Sequence, residues 1–379
     1  MDNLTHSLVG LAAAKAGLER LSPGAGALCV LAANAPDIDV AILLFGDRWT
    51  YLQHHRGITH AIVGVTFLAL FLPLLFYGAD RLWARLRKQS PKTKLRGLIL
   101  ASVIATATHP LLDWTNNYGI RFFLPWSSKW YYGDIVYIID PYLWLILGGA
   151  CFLLSAKTRG GKIVWAAVSV VLTALIVANP RAAGLPSFFV WFWIAAIVSL
   201  VVLFVLGAGR WGRSLAFNAL WLVAVYWCAL TFVHTYAMVN GTEYAIAFLP
   251  QGETPYRKAA MPTLANPFRW DFVFETERAT YRFDVDLLRN NNSPPPRVIR
   301  YEKPSGTLAD VVQKISQERP VRVFLGFARY PVAQLTDPNC TAETLVQLAD
   351  LRYTEPGSRR GAFTLEMPVE CPQNDQGSR

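Results

Sequence analysis

The chain has 379 residues, of which 53% are hydrophobic and 16% charged, with a formal net charge of +10. That balance excludes an ordinary soluble protein. The apolar residues crowd before residue 235 and the charge lies mostly after it, so a membrane domain is expected first and a soluble one second. The positive charge does not point to nucleic acid, and no nucleic-acid partner is expected. Seven of the basic residues (Arg81, Arg85, Arg87, Lys88, Lys92, Lys94 and Arg96) fall in one short loop and do not form a binding face.

In chain order, Asn3 to Gly17 predicts a short helix with Asn3 or Thr5 as its cap and His6 in its first turn. Residues 4–36 are apolar but interrupted by Glu19-Arg20 and Ser22-Pro23-Gly24, which predicts a hairpin of two short helices. The stretch lacks a basic start and a small-residue cleavage site, so it does not read as a cleavable signal. Pro36 ends the second helix and presents Asp37 and Asp39 in a turn. Residues 40–57 read as an amphipathic or irregular connection carrying His54, His55 and Arg56. Gly57 then bends the chain, and Thr59 caps the next helix with His60 facing the site.

Runs long enough to cross a bilayer are expected near 58–78, 95–113, 135–155, 163–179, 187–207 and 215–234. On the second of these, His109 and Asp113 lie four residues apart and share a helix face, with Pro110 loosening the backbone between them. Loop 114–133, rich in Trp and Tyr, suits a membrane interface or a lid. Asp140 lies beside Pro141 inside the 135–155 run and reads either as a functional group within the membrane or as a helix cap. The stretch 163–234 has almost no ionisable residues and reads as a lipid-facing wall, with His234 as an interfacial histidine.

From Tyr236 the composition becomes that of a soluble domain. R-W-D-F-V-F-E-T and A-T-Y-R-F-D-V-D-L alternate with a period of two and predict a hairpin. A helix is expected over 307–316, a strand at V-R-V-F-L-G-F-A, and further strands near 345–353 and 362–369. Cys340 and Cys371 fall in a compartment that permits a disulfide, whereas Cys29, Cys151 and Cys228 read as inert core residues. The expected fold is a polytopic α-helical membrane protein, with about six spans plus an N-terminal helical hairpin and a C-terminal soluble α+β domain. Residues 1–234 are the membrane domain, with its His/Asp site in 1–141. Residues 235–379 are an extracytoplasmic α+β domain.

The orientation comes from Lys and Arg in short loops, which stay on the cytoplasmic side. Loops 81–96, 157–162 and 209–214 are basic, and 114–133 and 180–186 are poorer in positive charge. The segment after Val233 is therefore expected outside. Five of the six histidines lie in three pieces: T-H-S at 5–7, the stretch from A-P-D-I-D at 35–39 to H-H-R-G-I-T-H at 54–60, and H-P-L-L-D at 109–113. With that orientation they converge on the extracytoplasmic edge. Imidazole nitrogen and carboxylate oxygen suit a divalent metal, zinc above all, with manganese or iron as alternatives. The ligand candidates are His6, Asp37, Asp39, His60, His109 and Asp113. Six ligands exceed what one catalytic zinc takes, and a bridging carboxylate would allow one or two ions. His54 and His55 are candidates for an acid, a ligand or an outer hydrogen-bonding group. Arg56 is a candidate for holding an anionic oxygen such as phosphate, or a lipid headgroup. No serine or cysteine nucleophile motif accompanies them, so metal-activated water is the expected nucleophile.

At these residues the sequence resembles the YdjM-like family of membrane-bound metal-dependent hydrolases. The matching pieces are D-N-L-T-H-S-L-V-G at 2–10, N-A-P-D-I-D at 34–39, H-H-R-G-I-T-H at 54–60 and H-P-L-L-D at 109–113, with N-N-Y-G at 116–119 and Y-G-D-I-V-Y-I-I-D-P at 132–141. N-P-F-R-W at 266–270 and D-L-R-Y at 350–353 are similar to pieces of longer members. The resemblance implies a polytopic inner-membrane protein with a hydrolase site. The expected function is hydrolysis at the extracytoplasmic face of an amphiphilic substrate, a phospholipid or lipid-linked phosphoester, with membrane lipid as partner. The alternative is a non-catalytic metal-stabilised membrane scaffold or a transporter. The apolar stretch 163–234 argues against transport.

Overall fold

The computed structural model describes residues 1–178, 185–289, 295–337, 343–358 and 363–370. Cys340 and Cys371, and with them the expected disulfide, lie outside the described residues. Helix α1 (Asn3–Ala16) is capped by Asp2, whose Oδ1 accepts the Thr5 backbone N–H at 3.0 Å, one residue earlier than expected. The chain turns through Gly17 and Gly24 into α2 (Ala25–Asn34), with Gly24 in the left-handed conformation that glycine adopts without strain. The two helices pack closely because residue 10 is glycine; a Cβ there would lie 2.6 Å from the Cys29 carbonyl oxygen. A 3-10 turn continues α2 from Ala35 to Leu44. Then come α3 (Arg48–His54), α4 (Ile62–Leu86) and α5 (Leu95–Trp114), and α5 packs on both α2 and α4.

Residues 135–155 do not form a long span. The carboxylate of Asp140 accepts the N–H groups of Tyr142 and Leu143, and Pro141 needs no donor at the first helical position. The helix therefore starts at residue 141. It runs as α6 (Pro141–Leu143), a π turn (Trp144–Gly148) and α7 (Gly149–Ser155). Pro141–Ser155 reaches only about 22 Å, short of a hydrocarbon core of about 30 Å. Helices α8 (Arg159–Ala178), α9 (Ser187–Val205) and α10 (Arg213–Phe248) follow. Among the described residues, six helical stretches are long and apolar enough to cross a membrane: Ala25–Leu44, Ile62–Leu86, Leu95–Trp114, Arg159–Val177, Ser187–Val205 and Arg213–Phe248. The second arm of the N-terminal hairpin thus takes the place expected for 135–155.

One compact unit holds Met1–Val40, Arg56–Val233 and Pro262–Pro267. Its cores join α1, α2 and α5 through Leu28, Cys29, Leu98 and Ala105, and α1 with the 141–155 helix through Leu8, Leu143, Leu147 and Cys151. Phe67, Leu70, Val170, Trp191 and Val202 are exposed on the long helices, as a lipid-facing wall requires. Cys29 and Cys151 are buried as expected, but Cys228 is exposed on α10, whose apolar surroundings lie outside the protein core.

The other unit holds Ala41–His55, His234–Met261 and the described residues from Phe268 onward. Strands β1 (Arg257–Thr263), β2 (Asn266–Glu275), β3 (Ala279–Asp286) and β4 (Ile299–Glu302) form one sheet in that order. The expected hairpin is β2–β3, with Phe272 opposite Phe283 and Trp270 opposite Val285. Helices α11 (Gly306–Ile315) and α12 (Arg319–Phe327) precede a second, antiparallel sheet of β5 (Pro331–Leu335), β6 (Glu343–Asp350) and β7 (Thr364–Glu370). V-R-V-F-L-G-F-A is not a strand. It lies in α12 because Val321, Phe324 and Phe327 bury at every third position, and Pro320 suits a helix start. Helix α3 packs on α12, with Trp49 against the core of Val311, Phe324 and Val346. Arg319 donates to Asp47 Oδ2 at 3.1 Å and to Thr50 Oγ1 at 2.6 Å. Residues 41–55, which read as a connection, are therefore a built part of this unit. The chain is a polytopic α-helical membrane protein with a C-terminal α+β region.

Candidate metal centre

Three segments of the first unit converge. The 3-10 turn after α2 carries Asp37 and Asp39, α5 carries His109 and Asp113 one turn apart, and a tight turn after Arg56 carries His60. That turn is closed by the N–H groups of His60 and Ala61, both donating to the Gly57 carbonyl at 3.1 Å. Arg56 sits at positive φ, held there by its N–H donating to Asp39 Oδ2 at 2.9 Å. Gly64 on α4 packs directly on the Ile58 carbonyl oxygen, where any Cβ would collide.

The result is a group of four acceptor atoms. His60 Nε2 lies 3.2 Å from Asp37 Oδ1, 3.3 Å from Asp113 Oδ2 and 3.1 Å from His109 Nε2. His109 Nε2 lies 3.5 Å from Asp37 Oδ1 and 3.4 Å from Asp113 Oδ2. The outward nitrogens set the tautomers. His109 Nδ1 is 2.6 Å from the Ala33 carbonyl, so it must donate there. His60 Nδ1 is 3.3 Å from Asp39 Oδ2 and donates to that carboxylate. Both Nε2 atoms therefore face two carboxylate oxygens, and Asp113 Oδ2 is buried with only these two imidazoles near it, at 3.3 and 3.4 Å. Unprotonated, these four acceptors repel one another, and either a proton on His60 or a metal cation joins them. A tetrahedron with ligand bonds of about 2.05 Å has edges of ~3.3 Å, so the five separations of 3.1–3.5 Å fit a single ion of zinc size. Burial opposes charging His60, but the hydrogen-bonding carboxylates of Asp113, Asp37 and Asp39 outweigh it and push its pKa up to about 10. The field of the site favours positive charge.

The other oxygen of Asp113 faces different partners. Oδ1 is 2.9 Å from Arg56 Nη2 and 3.4 Å from His6 Nε2, and it contacts the Met1 amino nitrogen. The His6 ring stacks on His109 with centroids 3.7 Å apart, and burial, followed by the charge of His109, pushes the His6 pKa down to about 3. Arg56 is 2% exposed. It donates through Nη1 to Asn116 Oδ1 at 3.0 Å and the Gly119 carbonyl at 3.2 Å, and lies over the Tyr118 ring. It clamps Asp113 to the loop after α5 and does not reach outward for a substrate oxygen. A guanidinium on Oδ1 also disfavours a cation at that oxygen.

The remaining candidates stand outside this group of four. Asp39 stands behind His60, on the side of the ring away from the four acceptors. His54 is exposed, and His55 is half-buried and stacks on Tyr51 at 4.6 Å, both within the second unit. Asp140 is a satisfied cap that also accepts the Tyr226 hydroxyl at 2.9 Å; burial raises its pKa to about 6. His234 packs against Trp270. The Ala33 carbonyl, Thr59, Asn116 and Tyr118 also belong to the site. N-N-Y-G flagged the last two, whereas a backbone carbonyl leaves no trace in sequence.

Residues 1–184, which contain every residue of this cluster, match the YdjM inner membrane protein family. Over 155 residues the chain is 28% identical to the uncharacterized protein YfhP of Bacillus subtilis (strain 168), covering 38% of this chain and 43% of that protein. Over 134 residues it is 29% identical to the inner membrane protein YbcI of Escherichia coli (strain K12), covering 34% of this chain and 64% of that protein. The chain thus spans less than two thirds of the length of either relative. No solved structure matches it. The chain is a multi-pass membrane protein whose residues 1–184 match the YdjM inner membrane protein family.

Proposed function

We propose that the protein is a membrane-bound metal-dependent hydrolase in which Asp37, His60, His109 and Asp113 hold one divalent cation, zinc or manganese. The observation that carries this reading is the cluster of four acceptors at the edge lengths of a tetrahedron. A divalent cation in such a site polarises an ester oxygen and activates water near neutral pH. The protein's own groups preorganise it. Asp39 and the Ala33 carbonyl orient the two imidazoles, and Arg56 fixes Asp113. Asp37 is the most accessible of the four, at 11%, and its neighbour Ile38 is 63% exposed, which suits a substrate with an apolar part such as a phospholipid or lipid-linked phosphoester.

The connection between α4 and α5 carries Arg87, Lys88, Lys92 and Lys94, which supports a cytoplasmic place for that end and an extracytoplasmic one for the His/Asp end. Arg210 and Arg213 likewise support a cytoplasmic start and an extracytoplasmic end for α10, an orientation in which the short 141–155 helix, with residues 135–140 before it, completes a further crossing between α5 and α8.

A second reading rests on one observation: four protein ligands would complete a tetrahedron, the pattern of structural zinc sites, whereas catalytic sites keep a position open. In that reading the metal holds α2, α4 and α5 together as a scaffold. Assay of the metal-loaded protein and Asp37→Ala against phosphoesters and lipids separates the two. A hydrolase shows metal-dependent turnover that the variant loses. A scaffold shows a melting temperature that depends on metal and no turnover of any substrate.

A further inference from the structure

A second feature of the first unit lies apart from the His/Asp cluster: a cavity of about 320 Å3 between α7, α8 and α9. That volume is in the range of sites for small ligands. Three tryptophans, Trp144, Trp165 and Trp193, form much of its wall, and all three indole N–H groups are engaged elsewhere. Trp144 donates to Asp2 Oδ1 and Thr5 Oγ1 at 3.2 Å, Trp165 to Ser155 Oγ at 2.8 Å, and Trp193 to Thr173 Oγ1 at 3.0 Å. Apart from Ser169 and Lys162, the lining therefore offers an occupant only hydrocarbon and aromatic carbon. Gly149, just after the π turn, lets α9 approach closely at the cavity wall: a Cβ there would lie 2.7 Å from Leu200. π turns recur at functional positions in helices.

The cavity is also edged by positive charge. Lys162 lines the cavity with its Nζ 5.5 Å from the Phe204 ring centroid, and it is exposed. Lys157 and Arg159 precede it, and Arg210 lies in the turn Ala208–Trp211, which packs on α7 and brings a further positive charge to the same end. The sequence has no Asp or Glu between Asp140 and Glu243, so no acid within this stretch compensates these cations. A carbon-lined cavity with a cation at its edge fits a hydrocarbon chain joined to an anion.

We propose that the cavity between α7, α8 and α9 binds one anionic phospholipid, with an acyl chain against the tryptophan wall and the phosphate at Lys162. The site is independent of the metal centre, because none of the four acceptor residues lines it.

The test uses full-length protein, delipidated in detergent and mixed with equal amounts of phosphatidylglycerol and phosphatidylcholine of identical acyl chains, with bound lipid read by native mass spectrometry. The expected result is one retained phosphatidylglycerol per chain, preferred about fivefold or more, the factor expected from one basic residue beside an anionic headgroup. Lys162→Ala removes that preference. Ala166→Trp fills the cavity and abolishes retention of both lipids while metal content stays unchanged. Val201→Trp fills the same space from α9, so a folding failure of one variant leaves the other to decide. Equal retention of the two lipids by the unaltered protein, or retention undiminished in a folded cavity-filled variant, overturns the proposal.

Discussion

The position of Asp39 makes the sharpest test of how the centre is built. As a residue type it looks like a ligand equal to Asp37, but its Oδ2 lies 3.3 Å from His60 Nδ1 and accepts the Arg56 N–H at 2.9 Å. It therefore acts through the imidazole: it fixes the ring, selects the tautomer with Nε2 unprotonated, and raises the basicity of that nitrogen. Outer groups of this kind contribute about 10–100-fold in metal affinity, or about 1.4–2.7 kcal/mol. Asp39→Asn keeps a hydrogen-bonding oxygen and removes the charge, so its loss is expected near the lower figure. Asp39→Ala also frees the Arg56 turn and is expected near the higher one. Asp37→Ala removes a ligand and is expected to lose more than either. The assay is competition with a chelator of known zinc affinity, using detergent-purified protein. If Asp39→Ala binds zinc like the unaltered protein, or loses as much affinity as Asp37→Ala, the assignment of Asp39 behind His60 is refuted.

Other predictions follow from the same geometry. Because His60 has its pKa raised to about 10 without a metal, cation binding must displace a proton, and zinc affinity is expected to rise about tenfold per pH unit between about pH 6 and 9; calorimetry in buffers of different ionisation enthalpy reads that proton. Gly10→Val forces side-chain atoms into the Cys29 carbonyl and is expected to destabilise the α1–α2 pair by about 1–3 kcal/mol, seen as a lower melting temperature in detergent. In the second unit, Asp350 and Arg352 form a fully buried pair at 2.7 Å. Asp350→Ala leaves the buried guanidinium without its carboxylate, keeping the Phe327 carbonyl as an acceptor, and is expected to cost about 3 kcal/mol, read as rapid proteolysis of the C-terminal region; an unchanged cleavage rate would refute it.

How much of this was legible in sequence depends on whether the signal was local. Six stretches with the length and apolarity to span a membrane were expected and six are present among the described residues, yet one differs. The run 135–155 is apolar enough, but Asp140-Pro141 starts a helix in its middle, a cap that hydropathy does not register. Strands β2 and β3 were readable because alternation is a local pattern, whereas Val321–Phe327 satisfied a strand reading by composition and a helix reading by spacing, and packing on α3 and the second sheet selects the helix. At the centre, residue type and topology grouped the histidines with the aspartates. They could not tell that Asp39 faces the far nitrogen of His60, or that Arg56 turns inward to Asp113, since both depend on a backbone turn at positive φ. Nor could they tell that residues 41–55, with His54 and His55, join the second unit through Trp49 and the Asp47–Arg319 pair.

The central claim is that Asp37, His60, His109 and Asp113 hold one divalent cation. Its most direct test is the metal content of the full-length protein, purified in detergent without chelator and measured by inductively coupled plasma mass spectrometry. The account predicts about one equivalent of zinc or manganese per chain, retained in His54→Ala and lost in folded His60→Ala and Asp37→Ala. A metal-free protein, or one whose metal survives both of those substitutions, would contradict it.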